Sequence, residues 1–366
     1  MAKSRTAPSD PYATRLVNVR AAMAKARIDG LLVLDRHEQY WLTGFTGEDG
    51  MVLVTPTGCV LLSDRRFDET ADREAPWAQK VLRKVRSAAV TAREIRRHKL
   101  GRIGFDARHI DVATHAALSK ELRPARLVSV QNLVGRLRLL KDDGEIAAIR
   151  RAIRVAEQAF LAVWDTIKPG QPEREIAARL VFEMQSRGAE EPSFPPIVAA
   201  GANASLPHYA PGDAPVKANE VLLIDWGARS GWYVSDLTRT MSIGRMPRDL
   251  TKAWDAVCAA HAAAIDAVRP GVRAAAVDAV ARRIIRSAGF GDRFGHALGH
   301  GIGLKVHEPP RLGTDSEDEL AAGMVVTIEP GIYLPGIGGI RIEDDVLVTA
   351  SGREVLSSLP VRLPAG

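Results

Sequence analysis

Two pairs of acidic residues at the ends of apolar runs constrain this chain more than any other feature of its sequence. In Val221-Leu222-Leu223-Ile224-Asp225-Trp226 an aspartate follows four apolar residues, and Asp236 comes eleven positions later in Tyr233-Val234-Ser235-Asp236-Leu237. The apolar run reads as a buried strand and Ser230-Gly231, at the midpoint, as a turn. The segment is expected to fold as a hairpin with the two aspartates facing each other. Glu329 ends Met324-Val325-Val326-Thr327-Ile328, Glu343 lies in Ile340-Arg341-Ile342-Glu343, and Gly336 is midway between them. That predicts a second hairpin with a second opposed pair. Like charges placed opposite in a strand pair destabilise it unless something neutralises them, and buried acids without partners are rare. A divalent cation is the simplest neutraliser. Four solvent-facing acids on edge strands would account less well for the repetition.

Histidine supplies a fifth position. Three of nine histidines fall within His296-Ala-Leu-Gly-His300-Gly-Ile-Gly-Leu-Lys-Val-His307, where glycines 299, 301 and 303 leave little bulk around His300. Four carboxylates and one imidazole form a mostly oxygen-rich set, suited to Mn²⁺ or a similar first-row ion and short of the sulfur or multiple histidines usual for zinc. Four negative ligands match two divalent cations, and ions about 3.5–4 Å apart are a standard means of activating water.

The rest of the chain organises around this half. Up to about residue 130 helical and strand patterns alternate: a helix over Tyr12–Ile28 stopped by Gly30, a strand at Leu31–Leu34, and a hairpin of Met51–Val54 with Cys59–Leu62 through Thr-Pro-Thr-Gly. Asp111 can cap a helix over Val112–Leu122. No Gly-rich phosphate loop and no His/Cys cluster interrupts this part, so no chemistry is expected of it. The pattern weakens between 131 and 142. Helices are then expected over Gly144–Trp164, from Pro172-Glu173 to Arg187, and near Leu250–Val268 and Arg273–Ser287, with strands between and after them. The chain thus reads as a disordered tail (1–11), a smaller α/β domain (12–135) and an α+β domain (136–366) whose helices are segregated from a mostly antiparallel sheet.

Composition mainly excludes. The formal charge of +6 divides into +10 for residues 1–140 and −4 for the remainder, so the acidic surplus belongs to the half that needs carboxylates. The densest basic run, Arg93–Lys99, reads as a solvated helix face rather than a nucleic-acid surface. Cys59 and Cys258 are too few for a disulfide framework or a thiolate zinc site. No apolar run approaches the ~20 residues of a membrane span, and the polar amino terminus lacks a signal peptide's apolar stretch. The reading is a cytoplasmic protein that uses neither nucleic acid nor membrane.

The ordered motifs LLIDWGA (222–228), SDLTRT (235–240), HALGHGIGLKVHE (296–308), TIEPGIY (327–333) and GIRIEDD (339–345) resemble the metallopeptidase family of the pita-bread fold, peptidase family M24. Ala199–Tyr209 resembles that family's loop carrying a substrate-site histidine. Gln39–Gly47 and Lys141–Phe160 resemble the creatinase/prolidase amino-terminal domain and the domain junction of its Xaa-Pro aminopeptidase and prolidase branch. The likeness runs from about residue 12 to the end. It implies a dinuclear-metal exopeptidase hydrolysing the bond before proline through a metal-bridging hydroxide. Asp225 would chelate one metal, Asp236 and Glu343 would bridge both, and His300 and Glu329 would hold the other. Glu329 would also manage the proton of the bridging water. His208 and His307 would meet the scissile carbonyl, and His296 the residue after the scissile bond. Arg341 would fix the Glu343 carboxylate or meet a product carboxylate. The ions implied are Mn²⁺, with Co²⁺, Zn²⁺ or Fe²⁺ as substitutes, and the assembly implied is a homodimer acting on peptides with proline second.

Two enzymes share these ligands, an Xaa-Pro aminopeptidase and an Xaa-Pro dipeptidase (prolidase). Methionine aminopeptidase fits less well because it lacks the amino-terminal domain. Creatinase-like hydrolases and inert peptide-binding modules on the same fold lose metal ligands that this chain keeps.

Overall fold

The computed structural model describes residues 11–83 and 87–362. The tail expected over residues 1–11 lies outside the described residues except for Pro11, which precedes the first helix. The chain divides into two compact units, one ending at Arg138 and the other beginning at Leu139.

In the first unit a six-stranded sheet runs in the order Gln79–Arg83, Cys59–Asp64, Gly50–Val54, Gly30–Val33, Arg102–Phe105, Arg126–Ser129. Only the two pairings made by Gly50–Val54 are antiparallel. Thr55 closes the expected hairpin turn: its N–H donates to Gly58 O, and its Oγ1 accepts from the Gly58 N–H at 2.8 Å. Asp111 caps the helix Val112–Glu121 by accepting from the Thr114 N–H. The first helix, Tyr12–Lys25, ends earlier than periodicity suggests, because Arg27 takes a left-handed φ of 54° to turn the chain toward the sheet. Gly30 is therefore no helix stop but the first residue of a strand, where a Cβ would lie 2.8 Å from Leu100 Cδ1.

The second unit is built of antiparallel sheet flanked by two helix pairs. The helix Asp143–Trp164 starts in a capping box in which Asp142 accepts from the Glu145 N–H and Glu145 accepts from the Asp142 N–H. Asp142→Ala should cost about 1 kcal/mol of unfolding free energy in a urea titration, with the fold unchanged. Helices Glu173–Ser186, Arg248–Ala267 and Ala274–Ser287 complete the set. Between them lies a three-stranded sheet in the order Leu237–Ser242, Val221–Trp226, Ile197–Ala200.

Strand alternation in Val221–Trp226 decides where the chemistry goes. Leu222, Ile224 and Trp226 join one core with Phe160, Val163, Ile176 and Leu180. Trp226 stacks on Phe160 at a centroid distance of 4.3 Å and donates Nε1–H to Ala156 O. Val221 and Leu223 join the opposite core, with Leu250, Val257, Val277 and Ile285. Asp225 shares the face of Val221 and Leu223. One strand thus anchors both helix layers and holds its acid on a fixed side. Among the described residues, no helix is long and apolar enough to cross a membrane.

Candidate metal centre

Two hairpins form as read, one with a shifted register. In the first, Thr238 lies opposite Asp225 and Leu237 opposite Trp226, and Arg229 with Val234 and Ser230 with Tyr233 continue the same register toward the tip. The two turn residues are Gly231 and Trp232, at φ of 60° and 69°, the paired positive values that a tight two-residue hairpin turn requires. Asp225 and Asp236 are therefore diagonal rather than directly opposed. A displacement of two positions keeps both on one face. In the second hairpin, Ile328 pairs with Asp344 and Gly331 with Arg341, which sets Glu329 opposite Glu343 as the midpoint at Gly336 predicts. An isolated β-bridge between Thr238 and Glu343 lies where the hairpins meet. His300 comes from the short strand Gly299–Gly301, paired to Val325–Ile328. A Cβ on Gly299 would lie 2.0 Å from Thr327 O, so only glycine lets these strands approach so closely.

These elements bring all five expected ligands into one charge cluster. His300 Nε2 lies 3.7 Å from Asp236 Oδ2 and 3.6 Å from Glu329 Oε1, and ligand atoms of Asp236, His300 and Glu343 all fall within 4.8 Å of one another. Burial, then Glu343, Asp225 and Glu329, hold the Asp236 carboxyl well above its ordinary range. Burial and Glu343 do the same to Glu329. Glu343 is pushed up to about 8, by burial and then by Asp225. Asp225 is raised by burial, with Arg341 opposing. Burial and the neighbouring His307 lower His300 to about 4. Its Nδ1–H donates to Gly301 O at 3.1 Å, which leaves the Nε2 lone pair facing the carboxylates.

The donor set fits divalent cations on an observation independent of spacing. Asp225 Oδ1 and Asp236 Oδ1 are buried and accept no hydrogen bond among the described residues. A buried carboxylate oxygen without a donor is costly. Cations among four acids would satisfy these atoms and remove the repulsion together.

The other expected residues surround the cluster. Arg341, 3% exposed, donates to Asp225 Oδ2 at 2.5 Å through Nη2, to Tyr333 Oη at 2.8 Å through Nη1 and to Thr238 Oγ1 at 3.2 Å through Nε. It reaches Glu343 only through Thr238, whose hydroxyl donates to Glu343 Oε2 at 2.7 Å. His296 Nδ1–H donates to Ala297 O, and its Nε2 accepts from the Tyr333 hydroxyl at 2.8 Å. Burial, then the Arg341 charge, hold His296 near 4 and thus neutral. The His307 ring packs against that of His300 at 4.4 Å. Removal from water and the neighbouring His208 lower it. His208 is exposed and close enough for its charge to act on Asp225, His296 and His307.

Spacing left several residues unseen. Thr238 and Tyr333 lie within the motifs SDLTRT and TIEPGIY, and only their contacts reveal them. Behind Glu343, the fully buried Arg239 donates to Glu343 O and pairs with Asp344 at 2.7 Å, while His261 lies 3.1 Å from the other Asp344 oxygen. Another grouping unseen in the sequence, Glu38, Asp106 and His109, occurs in the first unit. There both Asp106 oxygens already accept from Arg108, and one also from the Asn132 N–H.

Comparison with known proteins fits this geometry. Residues 147–350 match metallopeptidase family M24, and residues 15–140 match the creatinase/prolidase N-terminal domain. The uncharacterized peptidase YqhT of Bacillus subtilis is 34% identical over 349 residues, 95% of this chain and 99% of that one. An Xaa-Pro dipeptidase from Bacillus anthracis superposes with a TM-score of 0.94 at 34% identity, covering 96% of this chain and 99% of that one. An X-Pro aminopeptidase from Thermotoga maritima superposes at 0.89 and 33%, covering 93% and 99%. The chain belongs to metallopeptidase family M24, with a creatinase/prolidase amino-terminal domain ahead of a pita-bread catalytic domain.

Proposed function

We propose that this protein is a dinuclear-metal exopeptidase that cleaves the bond before proline, acting as an Xaa-Pro aminopeptidase. The observation that carries the reading is the gathering of four acids and one imidazole in one charge cluster, where two buried carboxylate oxygens have no hydrogen-bond donor among the described residues. Asp225 would hold one ion, His300 and Glu329 the other, and Asp236 and Glu343 both. Ions bound there would lower the pKa of a shared water toward ~7 and polarise the scissile carbonyl.

The remaining work falls to the chain. Glu329 accepts the proton of the attacking water and delivers it to the leaving nitrogen. His208 and His307 donate to the carbonyl oxygen as it gains charge. His296 keeps a neutral ring, held by Tyr333 and the Ala297 carbonyl, beside the residue after the scissile bond. Arg341 fixes Asp225, and Thr238 fixes Glu343.

The likeness to the Xaa-Pro dipeptidase of Bacillus anthracis supports a second reading, a dipeptidase with the same site. Hydrolysis of X-Pro dipeptides and X-Pro-Y tripeptides by Mn²⁺-loaded protein separates the two. Tripeptide preference is expected for the aminopeptidase, and cleavage of dipeptides alone would assign the dipeptidase. Turnover of neither, with two ions bound, would remove the proline reading. Manganese as the native ion, a homodimer and a cytoplasmic setting complete the proposal, checked by metal analysis of native protein, sedimentation and cell fractionation.

A further inference from the structure

The segment from Gly201 to Val216 carries His208, and its regular structure is limited to one 3-10 turn, Gly201–Ser205, and an isolated bridge from Pro215 to Pro172. Such a segment does not hold a side chain in place by itself. It is held by the first turn of the helix Glu173–Ser186. Glu173 is 0% exposed and accepts four hydrogen bonds, all from this segment and its leading residue. Oε1 accepts from the Ala200 N–H at 2.7 Å and from Asn203 Nδ2 at 2.9 Å. Oε2 accepts from Tyr209 Oη at 2.7 Å and from the Gly212 N–H at 3.1 Å.

The exchange is reciprocal. The Glu173 N–H donates to Ala214 O and the Arg174 N–H to Gly212 O, so the loop supplies acceptors for helix-terminal donors that lack partners within the helix. An anionic side chain in a helix's first turn also suits its dipole. The carboxylate thus gathers donors from both flanks of His208, and Tyr209 is the adjacent residue. Burial and the Glu173 carboxylate push the Tyr209 hydroxyl up to about 12, where it stays a donor.

We infer that Glu173 is the positioning residue for His208: its carboxylate fixes the loop so that the imidazole stands over the site. The inference rests on the reading of His208 as a substrate contact. Glu173→Gln keeps the volume but turns one acceptor oxygen into a donor, so two of the four loop donors lose their partner.

The test is a double-mutant cycle with His208→Ala, reading kcat/KM on an X-Pro-Y tripeptide, metal content and hydrogen exchange. Glu173→Gln is expected to lower kcat/KM about 10- to 100-fold, as misplacing a catalytic group does, and in the His208→Ala background by less than about twofold. Metal content should not change. The Ala200 and Gly212 amides should lose exchange protection while those of Val221–Trp226 keep theirs. Equal losses in both backgrounds, unchanged kcat/KM, or loss of metal would overturn the inference. If His208→Ala alone changes nothing, the substrate role of His208 fails, and the exchange data still show whether Glu173 holds the loop. Should Glu173→Gln not fold, Tyr209→Phe removes a single donor. A several-fold loss that vanishes without His208 supports the inference, and no loss refutes it.

Discussion

Asp236→Asn is expected to abolish peptidase activity and, in metal-free protein, to raise the melting temperature. Asp236 lies among Glu343, Asp225 and Glu329, all of which raise its pKa, and faces the His300 imidazole. Asparagine keeps the shape and one acceptor oxygen but removes the charge proposed to sit between two cations. Losing several kcal/mol of charge stabilisation corresponds to a fall on the order of 10³-fold in kcat/KM, and bound metal should drop below two ions per chain. Without metal the sign reverses, because removing one of four crowded charges relieves repulsion. Metal analysis, kinetics and melting of chelated protein check the three parts. Full activity with two ions retained would sink the ligand assignment.

Chelating the metal from the parent protein should produce an enzyme that loses stability as the pH rises. The Asp236, Glu329 and Glu343 carboxyls are raised in the folded, metal-free state, Glu343 from 4.5 to about 8. Above the unfolded-state value, the folded chain holds more protons than the unfolded one, and stability falls with pH. The part of the decline due to Glu343 begins near pH 4.5 and is complete above about 8. At ~1.4 kcal/mol per pKa unit, Glu343 alone accounts for roughly 5 kcal/mol. With Mn²⁺ present the slope should invert, since metal and protons compete for the same oxygens. Melting curves in EDTA and in Mn²⁺ between pH 5 and 8 should diverge. Parallel curves would mean that these acids are not metal ligands.

Local pattern made much of the fold and all five converging side chains legible. The acid after four apolar residues at Asp225 works as a signal because burial on both faces forces the apolar run, and the acid then stands out. The pairing of Glu329 with Glu343 follows from Gly336 at the tip, since an antiparallel register is fixed once its turn is known. The first hairpin turns one residue later than its midpoint predicts, because Trp232 adopts a positive φ that no turn propensity assigns to tryptophan. The face survived because the resulting shift was even. Glu173, Tyr333, Thr238 and Arg239 were not legible as parts of the site. Their partners lie from 8 to 105 positions away, and no local periodicity encodes a hydrogen bond across such gaps.

The meeting of the two hairpins at Thr238 and Glu343 has a consequence for timing. The first and last of the five converging residues, Asp225 and Glu343, are 118 positions apart. At about 5–20 residues per second, a ribosome delivers the last on the order of ten seconds after the first. Until then the emerging chain holds one hairpin's acids without the other's, and with no imidazole for most of that interval. Ion capture by all five side chains would therefore wait until Glu343 has been made and the second hairpin has docked on the first, and the metal content of a preparation would count docked hairpins rather than translated chains.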